Sequence, residues 1–250
     1  MGILQASVIG VDGCRAGWII AEISQKNRLS FDIFSTITIA WPQMEHAARI
    51  LIDIPIGLIE RKSEPRECDH LARKALGWPR SSSIFPPPCR SALYAKTYDK
   101  ANDLNRKYTK HGLSKQTWYI SPKILEVDLF IRHNLLINQI LWESHPELCF
   151  WSLNQQKSML HSKRKPVGFQ ERLDLLENAS KKINLQVDID SIFNRFPRSQ
   201  VQKDDILDAW VLALTATGQL GELKSFPKNP SFDTLNLPQR IVYSFLSKTK

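Results

Sequence analysis

The sequence predicts an α/β protein, and three observations lead to that prediction. The first 35 residues contain three short apolar runs separated by turn-forming residues, a pattern typical of β-strands. Two later apolar runs each end at or next to an acidic residue, and segments with helical spacing lie between and after them. Strands that alternate with helices are typical of a sheet covered by helices.

The N-terminal part predicts an antiparallel meander. The strand candidates cover residues 6–12, 17–23 and 29–34, and the third alternates apolar and polar side chains. Short turn-forming segments at 13–17 and 25–28 separate them. Because short connections join neighbouring antiparallel strands, we expect the three runs to pair in chain order.

Helices and a fourth strand are predicted next. Helical spacing covers residues 36–50, interrupted at Pro42, and a fourth strand candidate covers 50–54. Residues 77–90 are too rich in proline and serine for a helix or a central strand and predict a long loop. Three further helices are predicted at residues 65–76, 92–110 and 121–134.

The remaining chain predicts a fifth strand, two helices, a linker and a late strand. These elements are expected in that order at residues 137–143, 168–184, 204–217, 218–230 and 240–245. We interpret residues 1–250 as one domain, with an insertion of helices and loops at about 60–135 and a C-terminal tail at about 218–250.

Composition restricts the class of protein. Hydrophobic residues make up 42% and charged residues 24% of the chain, which excludes a wholly disordered, collagen-like or coiled-coil protein. The net charge of +9 favours a polyanionic partner such as nucleic acid. The four cysteines are scattered without zinc-site spacing and predict reduced thiols. With no apolar run long enough for a membrane span and no secretory signal, we expect no membrane association and a cytoplasmic location.

Acidic residues at the ends of strand candidates predict a functional site. Asp12, Asp53 and Glu143 each lie at or near the end of an apolar run. A charge at such a position is costly unless it is paired or binds a cation. In α/β proteins, ligands bind at the ends of strands, so these three carboxylates are candidates for a single binding site.

The first turn of the last predicted helix adds further acids. Asp205 and Asp208 are three residues apart and share a helix face. Alone, Asp204 and Asp205 are read as helix caps. Together with the strand-end acids, this turn predicts a carboxylate site for Mg²⁺ or Mn²⁺, in which paired ions would activate water and stabilise a leaving oxygen.

Several segments resemble the DUF429 family, whose members are predicted nucleases with the ribonuclease H-like fold. They are GVDGCRAGW at 10–18, IDIPIG at 52–57, RECDHLAR at 66–73, RSSSIF at 80–85, WESHPE at 142–147 and KDDILDA at 203–209. The resemblance extends from about residue 7 to 217. It implies a mixed five-stranded central sheet, three antiparallel meander strands followed by parallel strands, flanked by helices.

The resemblance also implies roles for the acids. Asp12 matches the first-strand aspartate that bridges two metal ions in this fold, and Asp53 matches the fourth-strand acid. Asp205 and Asp208 match the D-x-x-D of the last helix of resolvases with this fold. Glu143 matches the acid of the family's E-x-H-P-E signature. The nearby Glu147 is an alternative to Glu143, or simply begins a helix.

Basic residues near these acids are candidates for contacts with phosphate, and several of them also have a structural interpretation. His145 is a candidate general base or phosphate contact, or a structural residue. The spacing of Arg66, Asp69 and Arg73 places them on one helical face. They are either a row of arginines that guides phosphate towards the acids or a ladder of salt bridges on the surface. Two loop arginines are candidate phosphate clamps: Arg80 and Arg90. The basic run at 163–165 is a solvated loop or a steering element for nucleic acid.

These observations predict a metal-dependent nuclease that cleaves phosphodiester bonds of DNA or RNA by a two-metal carboxylate mechanism. Two alternatives remain open. An actin-like or sugar-kinase-type ATP-binding protein shares a first-strand acid followed by a glycine, but needs a second lobe. A non-catalytic nucleic-acid-binding module of the same fold would bind without turnover.

Overall fold

The computed structural model describes residue 4, residues 6–60 and residues 65–245. The main sheet has five strands in the order β3-β2-β1-β4-β5. Strands β1 to β3 pair antiparallel, whereas β4 and β5 continue the sheet in parallel with β1. The strands are β1 Val8–Cys14, β2 Gly17–Ile23, β3 Leu29–Phe34, β4 Arg49–Ile52 and β5 Leu141–Glu143. The predicted α/β class and mixed five-stranded sheet are therefore confirmed.

Helices cover both faces of this sheet. One apolar layer contains α1 and α4, and the opposite layer contains α5, α6, α7 and α8. The helices are α1 Ile37–Met44, α2 Glu67–Leu76, α3 Tyr98–Thr109, α4 Lys115–His133, α5 Pro146–Leu153, α6 Pro166–Lys182, α7 Ile189–Arg195 and α8 Lys203–Ala216. Among the described residues, no helix is long and apolar enough to cross a membrane.

Gly10 fixes how β1 meets α8. A Cβ atom at Gly10 would lie 2.2 Å from the carbonyl oxygen of Ala209, so only glycine permits this backbone approach. Residues two apart on a strand point to the same face, so Asp12 faces α8 as Gly10 does. The packing of β1 against α8 therefore brings the end of the first strand to the first turns of the last helix.

The predicted linker at 218–230 is wrong. Residues Glu222–Phe232 form strand β6, which pairs antiparallel with β7, Pro238–Phe245. The pairing register shifts between Phe226 and Ser231. This two-stranded hairpin consists only of edge strands, where proline is tolerated. Its apolar face packs on α2 and α5, so the segment after α8 is part of the core.

Other boundaries differ from the predicted ones for local reasons. The helix expected at 92–110 is divided into a 3₁₀ helix, Arg90–Tyr94, and α3, whose N-terminus is capped by the Thr97 hydroxyl. The helix expected at 121–134 begins earlier, where Ser114 caps α4. Within the expected insertion at 60–135, α4 packs directly on the sheet. Residues 61–64 of that insertion and 246–250 of the expected tail lie outside the described residues.

Candidate functional site

The ends of β1 and β4 bring Asp12 and Asp53 together. Val11 of β1 is in register with Ile52 of β4, so the residues that follow them are neighbours. The Asp53 amide extends this pairing by donating to the Val11 carbonyl at 3.0 Å. Asp12 is buried, and its Oδ1 accepts a 2.8 Å hydrogen bond from the Gly13 amide. Parallel pairing thus places two carboxylates at one sheet edge.

Asp208 is the third member of this group. It lies on α8, one residue before the Ala209 carbonyl that faces Gly10, and is buried. Burial raises the pKa of Asp12 well above its usual value, with further contributions from Asp53 and Asp208. Burial raises the pKa of Asp208 to about 6 despite the opposing effect of Lys163, and repulsion from Asp53 adds to it. We call Asp12, Asp53 and Asp208 the aspartate cluster.

Lys163 supplies the positive charge at the aspartate cluster. Its ammonium donates to the Asp208 carboxylate and lies 3.7 Å from Asp204. The carboxylates, Asp208 foremost and then Asp12, raise the pKa of Lys163 against the effect of burial. The loop that carries Lys163 sits tightly on α6, because a Cβ at Gly168 would lie 2.2 Å from the Ser162 carbonyl oxygen. A single lysine therefore faces several carboxylates.

Asp205, which is expected to be a metal ligand, acts as a helix cap. Its carboxylate accepts a 2.9 Å hydrogen bond from the Gln202 amide, while the Gln202 side chain accepts from the Asp205 amide in a capping box. Of the two acids in the D-x-x-D pattern, only Asp208 belongs to the aspartate cluster. Asp204 is half-buried and touches the cluster only through Lys163.

Glu143, which is also expected to be a metal ligand, lies in a buried ion pair. Its Oε2 lies 2.5 Å from Arg66 Nη2 and accepts a 2.7 Å hydrogen bond from the Ile56 amide. Arg66 is 3.8 Å from Asp69 as well. Desolvation raises the pKa of Glu143 to about 8 despite the charge of Arg66, and Asp69 adds repulsion. Glu143 is thus a partner of Arg66 rather than a member of the aspartate cluster.

His145 makes contacts that favour the structural one of its two interpretations. Its Nδ1 accepts from the Glu147 amide at 3.2 Å and so caps α5. Its Nε2 donates to the Ser83 carbonyl, also at 3.2 Å. Both ring nitrogens are therefore engaged. Glu147 is buried, and its Oε1 is paired with Arg172 at 2.5 Å, whereas its Oε2 has no hydrogen-bond partner.

The four arginines expected to bind phosphate fall into two groups. Arg66 and Arg90 are buried, and Arg90 is bound by Asp128 at 3.1 Å and by Asp233. These two hold the core together and do not face a substrate. The other two arginines each donate to a backbone carbonyl but are not fully buried: Arg73 is exposed and Arg80 is half-buried. The expected ion pair between Arg66 and Asp69 is present, but it is buried rather than on the surface, and Arg73 donates to the Ile84 carbonyl instead of joining it.

The donor chemistry of the aspartate cluster suits Mg²⁺, which prefers carboxylate oxygens. The side chains around Lys163 are not arranged as a metal site in this structure, however. Within residues 6–60 and 65–245, no group of three or more histidine, cysteine, aspartate or glutamate side chains is placed so that together they could hold a metal ion. The carboxylates face the Lys163 ammonium instead.

A family model described as "Protein of unknown function (DUF429)" matches residues 10–231. The chain belongs to the DUF429 family. No curated protein and no solved structure matches it. In this DUF429 protein, the segments at 10–18, 52–57 and 203–209 supply the aspartate cluster. The segment at 142–147 supplies the buried partner of Arg66 and the cap of α5.

Sequence reasoning missed the roles of Lys163 and Arg172 in this DUF429 protein. In the sequence Lys163 is only one member of a basic run, and nothing local indicates its partner 45 residues away. Arg172 has a local signal, because it lies between Gly168 and Leu176 on the buried stripe of α6. A charged residue on an apolar helix face indicates a buried partner, which here is Glu147.

Proposed function

We propose that this DUF429 protein is a nuclease-like hydrolase with the ribonuclease H-like fold, cleaving phosphodiester bonds of DNA or RNA with Mg²⁺ or Mn²⁺. The observation that carries the proposal is the convergence of Asp12, Asp53 and Asp208 from β1, the end of β4 and α8. The mixed sheet of three antiparallel strands followed by parallel strands, flanked by helices, is the one that the resemblance implies.

The aspartate cluster would hold the divalent cation. Burial and mutual repulsion raise the pKa values of its carboxyl groups, so a nearby cation would stabilise their charged forms. When bound, a divalent cation would polarise water and stabilise the leaving oxygen of a phosphodiester. Lys163 pairs with Asp208 of the cluster, so an entering divalent cation competes with its ammonium.

A basic groove beside the cluster supports a polyanionic substrate. It has a volume of about 830 Å³ and borders the Asp204–Asp205 turn of α8. Six basic residues line it: Arg15, Lys163, Arg164, Lys165, Arg198 and Lys203. Because phosphate contacts by lysine and arginine dominate affinity for nucleic acids, this groove takes over the substrate-guiding role first expected of Arg66 and Arg90.

The test is cleavage of labelled single- and double-stranded DNA and RNA in Mg²⁺ or Mn²⁺. Asp12→Asn should lower the rate by about 100-fold or more with the fold intact, because it removes a carboxylate charge from the cluster. Asp174→Asn, an exposed acid on α6, is the matched control and should cleave as the wild type does. Equal cleavage by wild type and Asp12→Asn would remove the proposal.

One observation favours a non-catalytic nucleic-acid-binding module as the second candidate. Lys163 already pairs with Asp208 of the cluster, as a permanent counterion would. In that case the wild type binds oligonucleotides with strong salt dependence and cleaves none of them in either metal. The ATP-binding alternative lacks comparable support, because the described strands form one five-stranded sheet and one hairpin with no second lobe.

A further inference from the structure

A cavity of about 490 Å³ opens between the proline-rich loop, α2 and the start of α4. This volume is within the range of small-molecule and cofactor sites. Its apolar wall includes Phe85, Pro87 and Leu113. Phe85 lines the cavity and is half-buried. An aromatic ring in an apolar wall is a stacking surface for a flat ligand.

Basic and polar side chains lie around this apolar wall. Arg73, His70 and His111 are exposed and line the cavity, and Ser82 and Gln116 add a hydroxyl and an amide. The cavity therefore suits a ligand with a flat apolar face, hydrogen-bonding edges and an anionic end. A nucleotide combines all three features, because its base stacks and its phosphate is charged.

The cavity leads towards the aspartate cluster. Asp69 and Phe85 line it and also line a second, smaller cavity of about 40 Å³. Asp53 and His145 lie in the wall of that smaller cavity. Phe85, which lines the larger cavity, thus shares the wall of the smaller one with Asp53.

We propose that the cavity at Phe85 binds the base of one unpaired nucleotide of a nucleic acid strand whose backbone passes the aspartate cluster. This rests on the proposed function for the nature of the substrate and narrows it to single-stranded or locally unpaired nucleic acid. A base inside a duplex is stacked and paired and has to leave the stack before it can enter such a cavity.

The test is equilibrium binding of two probes in EDTA, where no cleavage occurs. One is fluorescent oligothymidylate of six nucleotides, and the other is the same sugar–phosphate chain without bases. Phe85→Ala should weaken oligothymidylate binding about tenfold and leave the base-free chain unaffected, because only base stacking is removed. Phe232→Ala, which alters an exposed phenylalanine on β6 outside the cavity, is the matched control and should change neither affinity.

Three results would overturn the inference: equal weakening of both probes, no change for either, or no binding of oligothymidylate by the wild type. Should Phe85→Ala lower the melting temperature, Phe85→Leu keeps the apolar volume and removes only the aromatic face. The measurement is independent of cleavage. A wild type that binds in this way but cleaves nothing would retain the base site and remove the nuclease proposal.

Discussion

Two regions of this molecule bury several acids, and they treat their charges differently. In the arginine networks, Glu143 and Asp69 share the guanidinium of Arg66, and Arg90 is bound by Asp128 and other acids. Each network has a buried arginine at its centre. In the aspartate cluster, three carboxylates from different elements face one lysine on a loop. Acids whose partner is a core arginine are structural, whereas the under-neutralised cluster is where a cation would be bound.

Breaking an arginine network should have the largest effect on stability. Arg66→Met would leave Glu143 and Asp69 buried without their partner, which should lower the free energy of unfolding by about 3–5 kcal/mol. Urea unfolding measures this loss. Arg132→Met is the control, since that partly exposed arginine pairs with Asp128 at 3.5 Å and should cost less than about 1 kcal/mol. Similar losses for both variants would contradict the structural role of Arg66.

Changing pH should reveal the aspartate cluster in the wild type. The pKa of Asp208 is about 6 in the folded protein, against 3.8 ordinarily, so the folded state binds this proton more tightly than the unfolded state. The stabilisation is present at low pH and is lost as pH rises through about 6. Asp208→Asn should flatten that part of the pH dependence of unfolding. A variant profile parallel to the wild type would show that Asp208 does not titrate there.

Relieving the repulsion should stabilise the cluster. Asp12→Asn removes a buried carboxyl group that Asp53 and Asp208 repel and keeps the Oδ1 that accepts from the Gly13 amide, so it should raise the free energy of unfolding at neutral pH. Asp128→Asn removes a charge from Arg90 and should instead lower it. Thermal and urea unfolding of both variants gives the signs. If both variants changed the free energy of unfolding in the same direction, the two regions would not differ in the way described.

The basic groove should contribute the smallest and most salt-sensitive effect. Arg164→Ala or Lys165→Ala should weaken oligonucleotide binding several-fold, and each should reduce the slope of log K against log[salt] by about 1, because one phosphate is no longer neutralised. Lys181→Ala, an exposed lysine in the last turn of α6, is the control and should leave the slope unchanged. If the slope of log K against log[salt] did not change in the groove variants, nucleic acid would bind at another surface of the protein.

The fold was largely predictable because its signals are local. Strands β2 and β3 have the predicted bounds, since apolar runs and turn residues lie next to each other in the chain. Strand β6 was missed because Pro227 and Pro230 are typical of linkers, and only its pairing with β7 shows that they are in an edge strand.

The site was predictable in part. Asp12, Asp53 and Asp208 are at strand ends and a helix start, where position alone points to a ligand site. Glu143 has the same kind of position, and its different role depends on Arg66, 77 residues away. Arg90 likewise meets Asp233 across 143 residues. Contacts between residues this far apart in the chain depend on tertiary packing, and they cannot be read from residue type and local spacing.

The most direct test of the central claim is a crystal structure of the wild type grown with Mn²⁺, read by anomalous scattering. We expect Mn²⁺ density bound by Asp12, Asp53 and Asp208, with the Lys163 ammonium withdrawn from Asp208, and no such density in Asp12→Asn. Cluster carboxylates that stay bound to Lys163 without Mn²⁺ density, at a concentration well above that of the protein, would contradict it.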